Sequence, residues 1–397
     1  MSALGWWLLL GCTTPPPADP GVLLVVTDGV RGDRVGRAAA VGEMPTLDAL
    51  AAAGTRFDRA YTVSTSAPAA LGSLISGVPP VVHGMRGSKP LERLPESGWL
   101  NGNAASIQTH PPDAWGTVAS VLPAVDPTSS VDVRLVAVGR TERSQSTVAY
   151  DADLRDADDA IRRFIDDWRV GHPQGTVVVV GLRGALAGAR VDAELNLTDD
   201  WLHVPMLAQG PSIEPGWAVT EPVSTLDLAA WLFERTGEAA AIEGRDPFLG
   251  GSPLPYSESV LGQERFGASI LQGFTSLEGR YVSGTYGEWY AAAAGDAGVR
   301  PFPNPRSEYP HHHETLTALA AEWGDAIPPS GRQQAIDPRS LAGANALLHK
   351  ARRAVDAGRI DAAQRIAARL QAEHPSAPAV VRLLARIGER PDEPSQP

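Results

Sequence analysis

The chain has 397 residues and a mass of 41.8 kDa, which fits one large α/β domain plus an appendage. Hydrophobic residues make up 43% and charged residues 20%, enough for a sizeable core and against bulk disorder. The net charge of -12 excludes a general nucleic-acid binder, because attraction to phosphates needs clustered Lys and Arg. Cys12 is the only cysteine, so intramolecular disulfides and cysteine-based zinc sites are excluded.

In chain order, Ala3 to Leu10 is an apolar run too short to span a bilayer but long enough for the apolar part of a secretion signal. Its end, Leu9-Leu10-Gly11-Cys12, resembles a bacterial lipobox. That resemblance implies lipidation of Cys12, a Pro-rich tether to Pro20, and a protein held at the cell-envelope membrane by its lipid. The competing reading is an ordinary cysteine in an N-terminal arm. No later segment is apolar enough to span a membrane.

Val22 to Val26 is a continuous apolar run, expected as a buried parallel strand, and Asp28 follows at its C-terminal end, where open α/β sheets place their ligands. Pro45 to Ala53 reads as a short helix closed by Gly54. Asp151 to Trp168 is amphipathic, with Leu154, Ala157, Ile161, Phe164, Ile165 and Trp168 on one helical face. Thr176 to Val180 reads as a second buried strand and Val204 to Leu207 as a third. Thr225 to Thr236 reads as a helix, and Arg280 to Ser283 as a strand of a smaller antiparallel sheet. This alternation implies a mostly parallel central sheet with helices on both faces.

The composition shifts to Pro, Ser, Gly and Gln near residue 327, marking a linker. Helices are expected at Leu341 to Ala357, Asp361 to Glu373 and Ala379 to Ile387. The pattern Ala354, Gly358, Ala362, Pro375 resembles a tetratricopeptide repeat, a generic helical tail being the alternative. One such unit cannot bury its own apolar face, so it is expected to dock on the main domain or on a protein partner. The organisation is therefore a leader at 1–20, an α/β domain at 21–325, a linker at 326–339, helices at 340–390 and a disordered tail at 391–397.

Four segments, in order, resemble the sulfatase branch of the alkaline phosphatase superfamily. They are Val22 to Asp33; Met44 to Leu50 with Gly54 to Phe57; Leu74-Ile75-Ser76-Gly77 with Pro80 and His83-Gly84; and Tyr150 to Arg155 with Asp158-Asp159. Later pieces agree, among them His203-Val204-Pro205, Glu221-Pro222, Tyr256-Ser257-Glu258 and Gly279-Arg280-Tyr281. The resemblance implies a hydrolase fold in which a nucleophile attacks sulfur or phosphorus, helped by divalent metals such as calcium or zinc.

Against that pattern, Asp28 matches the first metal-ligand aspartate. The nucleophile position falls on Ala67 when counted without gaps from Gly77, with Leu71 where a basic residue usually assists; a one-residue slip puts Ser66 there. The resemblance implies Ser-Asp-His-Gly after the second buried strand, but the chain has Gly181-Leu182-Arg183-Gly184. Leucine has no donor atom, and arginine is a permanent cation. No cofactor is therefore expected, and the chain reads as a degenerate hydrolase acting as a binding or scaffolding module. A buried carboxylate without a partner is costly, so Arg183 is expected to approach Asp28 and replace the metal's positive charge. Arg31 and Arg183 would also suit an anion in the old cleft.

The alternative is an active sulfuric or phosphoric ester hydrolase. It would use Ser66 or Thr65, with a metal site built on Asp28 and drawn from Asp33, Asp151, Asp153 or His203. Of the nine histidines, His83 reads as structural, His203 as a hydrogen-bonding loop residue, and His311 to His313 as solvated. The glycines at 181, 184 and 188 do not match a dinucleotide-binding spacing.

Overall fold

The first strand has no exposed face, and the fold is built around it. Leu24 and Val26 pack into one apolar cluster and Leu23 and Val25 into another, so a run without polar alternation becomes the centre of a sheet covered on both sides. The computed structural model describes residues 21–36, 43–87, 104–110, 131–138, 146–187, 194–237, 244–251, 254–277, 279–284, 287–292 and 336–388, with isolated positions 314 and 318. Cys12, His311 to His313, most of the expected linker and the tail at 391–397 lie outside them.

In chain order the strands are β1 Val22–Asp28, β2 Thr55–Phe57, β3 Ala60–Tyr61, β4 Ala104–His110, β5 Val131–Ala137, β6 Thr176–Arg183, β7 Met206–Gln209, β8 Trp217–Val219, β9 Val223–Ser224, β10 Tyr256–Ser259, β11 Leu271–Thr275, β12 Gly279–Gly284 and β13 Gly287–Ala292. The main sheet has the order β4-β5-β1-β6-β7-β2-β8. β4, β5, β1 and β6 run parallel, whereas β7 is antiparallel to both neighbours. β10 to β13 form a separate four-stranded antiparallel sheet.

Helices α1 (Pro45–Ala53), α2 (Ala67–Ser76) and α3 (Pro80–His83) come first, followed by α4 (Thr147–Gly171) and the short α5 (Asp199–Leu202). α4 begins earlier than its periodicity suggests because Ser146 caps it, accepting from the Ala149 N–H at 3.1 Å. α6 (Thr225–Thr236) opens on a capping box between Ser224 and Asp227. α1 and α4 cover one face of the main sheet, α2 and α6 the other.

α7 (Leu261–Phe266) leads towards the C-terminal helices α8 (Ala342–Asp356), α9 (Ile360–Glu373) and α10 (Pro378–Gly388), each within a residue of its expected bounds. They share a core with Leu195, Leu261, Phe266 and Ala268, so this unit docks on the α/β domain. A buried cluster fastens the joint. Glu194 accepts from Arg265 and Asn345, at 2.7 Å each, and contacts His349 Nε2 at 2.5 Å. No helix among the described residues is long and apolar enough to cross a membrane.

Candidate functional site

β1 and β6 run in step from Val22 opposite Thr176 to Thr27 opposite Gly181, and then the register slips so that Asp28 faces Arg183. The slip is a bulge that leaves out Leu182. Leu182 is 1% exposed and packs with Val26, Val180 and the apolar side of α2. The bulge thus sends the hydrocarbon inward and delivers the guanidinium to the carboxylate. Arg183 Nε donates to Asp28 Oδ1 at 2.8 Å and Nη2 donates to Oδ2 at 3.3 Å, a two-pronged pairing.

Three further contacts hold that geometry. Gly29, at φ 93°, turns the chain directly after Asp28, and its N–H donates to the Arg183 carbonyl at 3.0 Å. The Arg183 guanidinium carbon lies 5.5 Å from the Trp201 ring centre, and Nη1 reaches the Thr65 carbonyl at 3.5 Å. A side chain at Gly184 would collide with the Asp200 carbonyl, so glycine there lets the α5 segment approach.

Arg31 is engaged elsewhere. Its Nε and Nη2 donate to Asp33 at 2.8 and 2.6 Å, and its Nη1 lies 2.6 Å from Asp200 Oδ1. Burial opposes charge at Asp33, yet the bonds from Arg31 overcome it and hold the Asp33 carboxyl below the ordinary range. Tyr150 completes the cluster, its hydroxyl donating to the Gly29 carbonyl at 2.9 Å and accepting from the Arg31 N–H at 3.1 Å. The structure therefore brings Arg183, but not Arg31, to Asp28.

The donors around Asp28 do not fit the divalent metal that the sequence resemblance implies. Both Asp28 oxygens face the guanidinium, Leu182 is in the core, and no three His, Cys, Asp or Glu side chains among the described residues converge on a cation-sized site. The four groups that could have rebuilt one are separated. Asp33 binds Arg31, Asp151 lies 3.4 Å from Arg34, Asp153 is half-buried on α4, and His203 Nε2 bonds the Asp58 carbonyl at 3.0 Å.

Both hydroxyl candidates are structural in their bonding. Ser66 Oγ donates to the Gly87 carbonyl at 3.0 Å, and Thr65 Oγ1 donates to Ser259 Oγ at 3.0 Å. Ala67 opens α2 as a buried residue, and Leu71 packs in the core. Among the described residues, neither hydroxyl is hydrogen-bonded to a side chain that could act as its base. His83 accepts from the Met85 N–H through Nδ1 at 3.1 Å and meets Ser73 Oγ through Nε2 at 2.8 Å. Both nitrogens are thereby used in tying α2 to α3, and burial lowers the imidazole to about 4.

Sequence reading missed a second charged pair behind these hydroxyls. Glu258 on β10 is fully buried and accepts from Arg86 Nε at 3.0 Å, from Arg86 Nη2 at 2.8 Å and from the Tyr256 hydroxyl at 2.9 Å. Burial raises the Glu258 carboxyl despite Arg86. Tyr256-Ser257-Glu258 was visible as a motif piece; its partner came from a distant loop that no spacing rule connects to it.

No family model matches the chain, and no curated protein matches it in sequence. Solved structures do match in fold. A phosphonate monoester hydrolase from Silicibacter pomeroyi superposes with a TM-score of 0.57 at 14% identity, over 77% of this chain and 96% of its own. A 2-O GAG sulfatase also superposes with a TM-score of 0.57 at 14% identity, covering 77% and 93%. A protein in the alkaline phosphatase superfamily from Vibrio parahaemolyticus reaches 0.51 at 14% identity, covering 76% and 88%. With its central sheet, small antiparallel sheet and strand-end aspartate on the page, the chain carries the α/β fold seen in sulfatases and phosphonate monoester hydrolases of the alkaline phosphatase superfamily.

Proposed function

We propose that this chain is a sulfatase-type fold whose hydrolytic centre has become a structural ion pair, and that it serves as a lipid-anchored binding or scaffolding module of the bacterial envelope. One observation carries the reading: the Arg183 guanidinium occupies both oxygens of Asp28 while Leu182 turns into the core. The cation that this superfamily needs to polarise an ester is supplanted by one that has no open coordination position and cannot activate a nucleophile. The bonding of Ser66 and Thr65 supports the same reading. The anchor rests on Leu9-Leu10-Gly11-Cys12, with the Pro-rich stretch after it as a tether.

The test is metal content of the purified protein together with hydrolysis of aryl sulfate and aryl phosphate. Background-level turnover, unchanged in Ser66→Ala and with added calcium or zinc, is the expected result. One equivalent of bound metal, with turnover abolished by Asp28→Ala, would overturn the proposal. For the anchor, Cys12→Ser should shift the protein from the membrane to the soluble fraction, and unchanged fractionation would remove that part.

A further inference from the structure

The chain enters the main sheet at one particular edge. Gly21 directly precedes β1, and its carbonyl accepts from the Thr176 N–H at 3.0 Å, at the start of β6. β8 runs parallel to β2, and β2 and β6 are each antiparallel to β7, so β8 also starts at this edge, with Trp217. Asp28 and Arg183 lie at the opposite ends of their strands, about 20 Å away at the rise of an extended chain.

Three turns meet at this entry edge. The turn from α4 into β6 begins at Val170, which is 87% exposed, and the turn from β7 into β8 ends on Trp217, which is 40% exposed. Arg169 bonds the Gln209 side chain and so ties these two turns together. The end of α1 adds the exposed Ala52 and Ala53, and the Thr55 hydroxyl beyond it donates to the Glu214 carbonyl at 3.0 Å. Residues 52–54, 170–176 and 210–217 contain a single formal charge, Glu214, in a chain that is 20% charged. The opposite edge carries Asp28, Arg31, Asp33, Arg183 and Asp200. An edge poor in charge can leave bulk water without stranding ions, and a half-exposed Trp suits the headgroup layer of a bilayer, where its ring is covered and its N–H finds a partner.

We propose that the entry edge rests on the lipid bilayer, with Val170 and Trp217 among the headgroups, so that the edge carrying Asp28 and Arg183 faces away from the membrane. This rests on the reading of Cys12 as the lipidated residue and adds an orientation to it. Cys12 stands nine residues before Gly21, a reach of at most about 30 Å and of about 15–18 Å for a flexible chain. The entry edge lies within that reach, whereas the opposite edge would require the tether to double back along nearly the whole sheet. A lipid on Cys12 also holds the entry edge at a roughly millimolar effective concentration of bilayer surface, so a contact too weak to recruit a free protein suffices.

The experiment is hydrogen–deuterium exchange of the full chain tethered to phosphatidylcholine vesicles by a maleimide lipid that reacts with Cys12, its only cysteine. Coupling in this way does not need lipidation in the cell, so a failure here is distinct from unchanged fractionation of Cys12→Ser. Relative to the free chain, amides at 170–175 and 210–217 should exchange about threefold or more slowly, while those at 28–34 and 146–150 keep their rates. The last segment is the control, because Val148 is 78% exposed but sits at the other end of α4. Val170→Glu should abolish the slowing at 170–175, and Trp217→Ser the slowing at 210–217. The first variant changes a side chain that is almost wholly exposed, so it keeps the test open if the second fails to fold. No slowing on tethering, equal slowing at both ends of α4, or slowing at 170–175 that survives Val170→Glu each overturns the proposal.

Discussion

Two Arg–carboxylate clusters hold different parts of this molecule, and they differ in how far water reaches them. At the sheet edge, the Asp28 and Arg183 side chains keep 16% and 21% of their surface. At the joint between the α/β domain and the C-terminal helices, Glu194 and Arg265 keep 10% each, and Asn345 and His349 saturate the remaining bonding positions. Water can partly replace either partner of the first pair, so that pair closes a site more than it holds the fold. The second has little water to fall back on, so its members must stay together. The lesson is that an ion pair at a sheet edge need not become a stability centre, whereas a joint between two bodies can.

The largest effect that would break this contrast is at Leu182. Leu182→Asp puts an acidic side chain where the resemblance implies a metal ligand but buries it among Val26, Val180 and α2. A loss of about 3 kcal/mol or more is expected from urea unfolding, without recovered metal binding. A neutral result would mean that the bulge readily reverses and that the metal reading should be reopened.

Next is the joint. Arg265→Met leaves Glu194 buried with only Asn345 and His349, for an expected loss of about 3 kcal/mol. Limited proteolysis should then release the helical unit ahead of global unfolding. If the α/β domain and the helices still melt together, the cluster is not what fastens them.

The same joint should respond to acid. Burial opposes charge at Glu194, but the bonds from His349 and Arg265 hold its carboxyl well below the ordinary range. Its contribution is therefore complete above about pH 4.3 and is lost as pH falls below that. His83 acts at higher pH. Its imidazole is lowered from 6.5 to about 4, so it favours the folded state above 6.5 and loses that contribution between 6.5 and 4. His83→Gln should flatten the stability profile in that window, while Glu194→Gln should flatten it only below it. Thermal melts across pH 3 to 8 separate the two.

The smallest effect is expected at the sheet edge. Asp28→Asn should cost about 1 kcal/mol, because the freed guanidinium is partly solvated and still has Trp201 and the Thr65 carbonyl beside it. A cost equal to that of Arg265→Met would erase the distinction drawn between the clusters.

Much of this was legible in the linear chain. Val22 to Val26 and Thr176 to Val180 announce adjacent buried strands because only a strand covered on both faces tolerates unbroken β-branched and leucine residues. Adjacency then makes the meeting of Asp28 with Arg183 an expectation that electrostatics alone can raise. Gly358 and Pro375 punctuate the last helices for equally local reasons. Other features were not legible. Val204-Pro205-Met206-Leu207 looked like any apolar strand, but β7 starts only at Met206 and runs antiparallel, a direction that local composition does not encode. Arg31 read as available for an anion, and Asp33 and Asp200 take it up, Asp200 arriving on a helix from far along the chain.

What the amino-acid order determined by itself is chemical inventory: which ligand types are missing, where apolar runs must be buried, and that a lone aspartate would need a cation. What only the tertiary structure decided is assignment: that a one-residue bulge sends Leu182 inward and Arg183 to Asp28, and that Glu194 locks the helices in place. Inventory depends on residue identity alone, whereas assignment depends on contacts between segments distant along the chain.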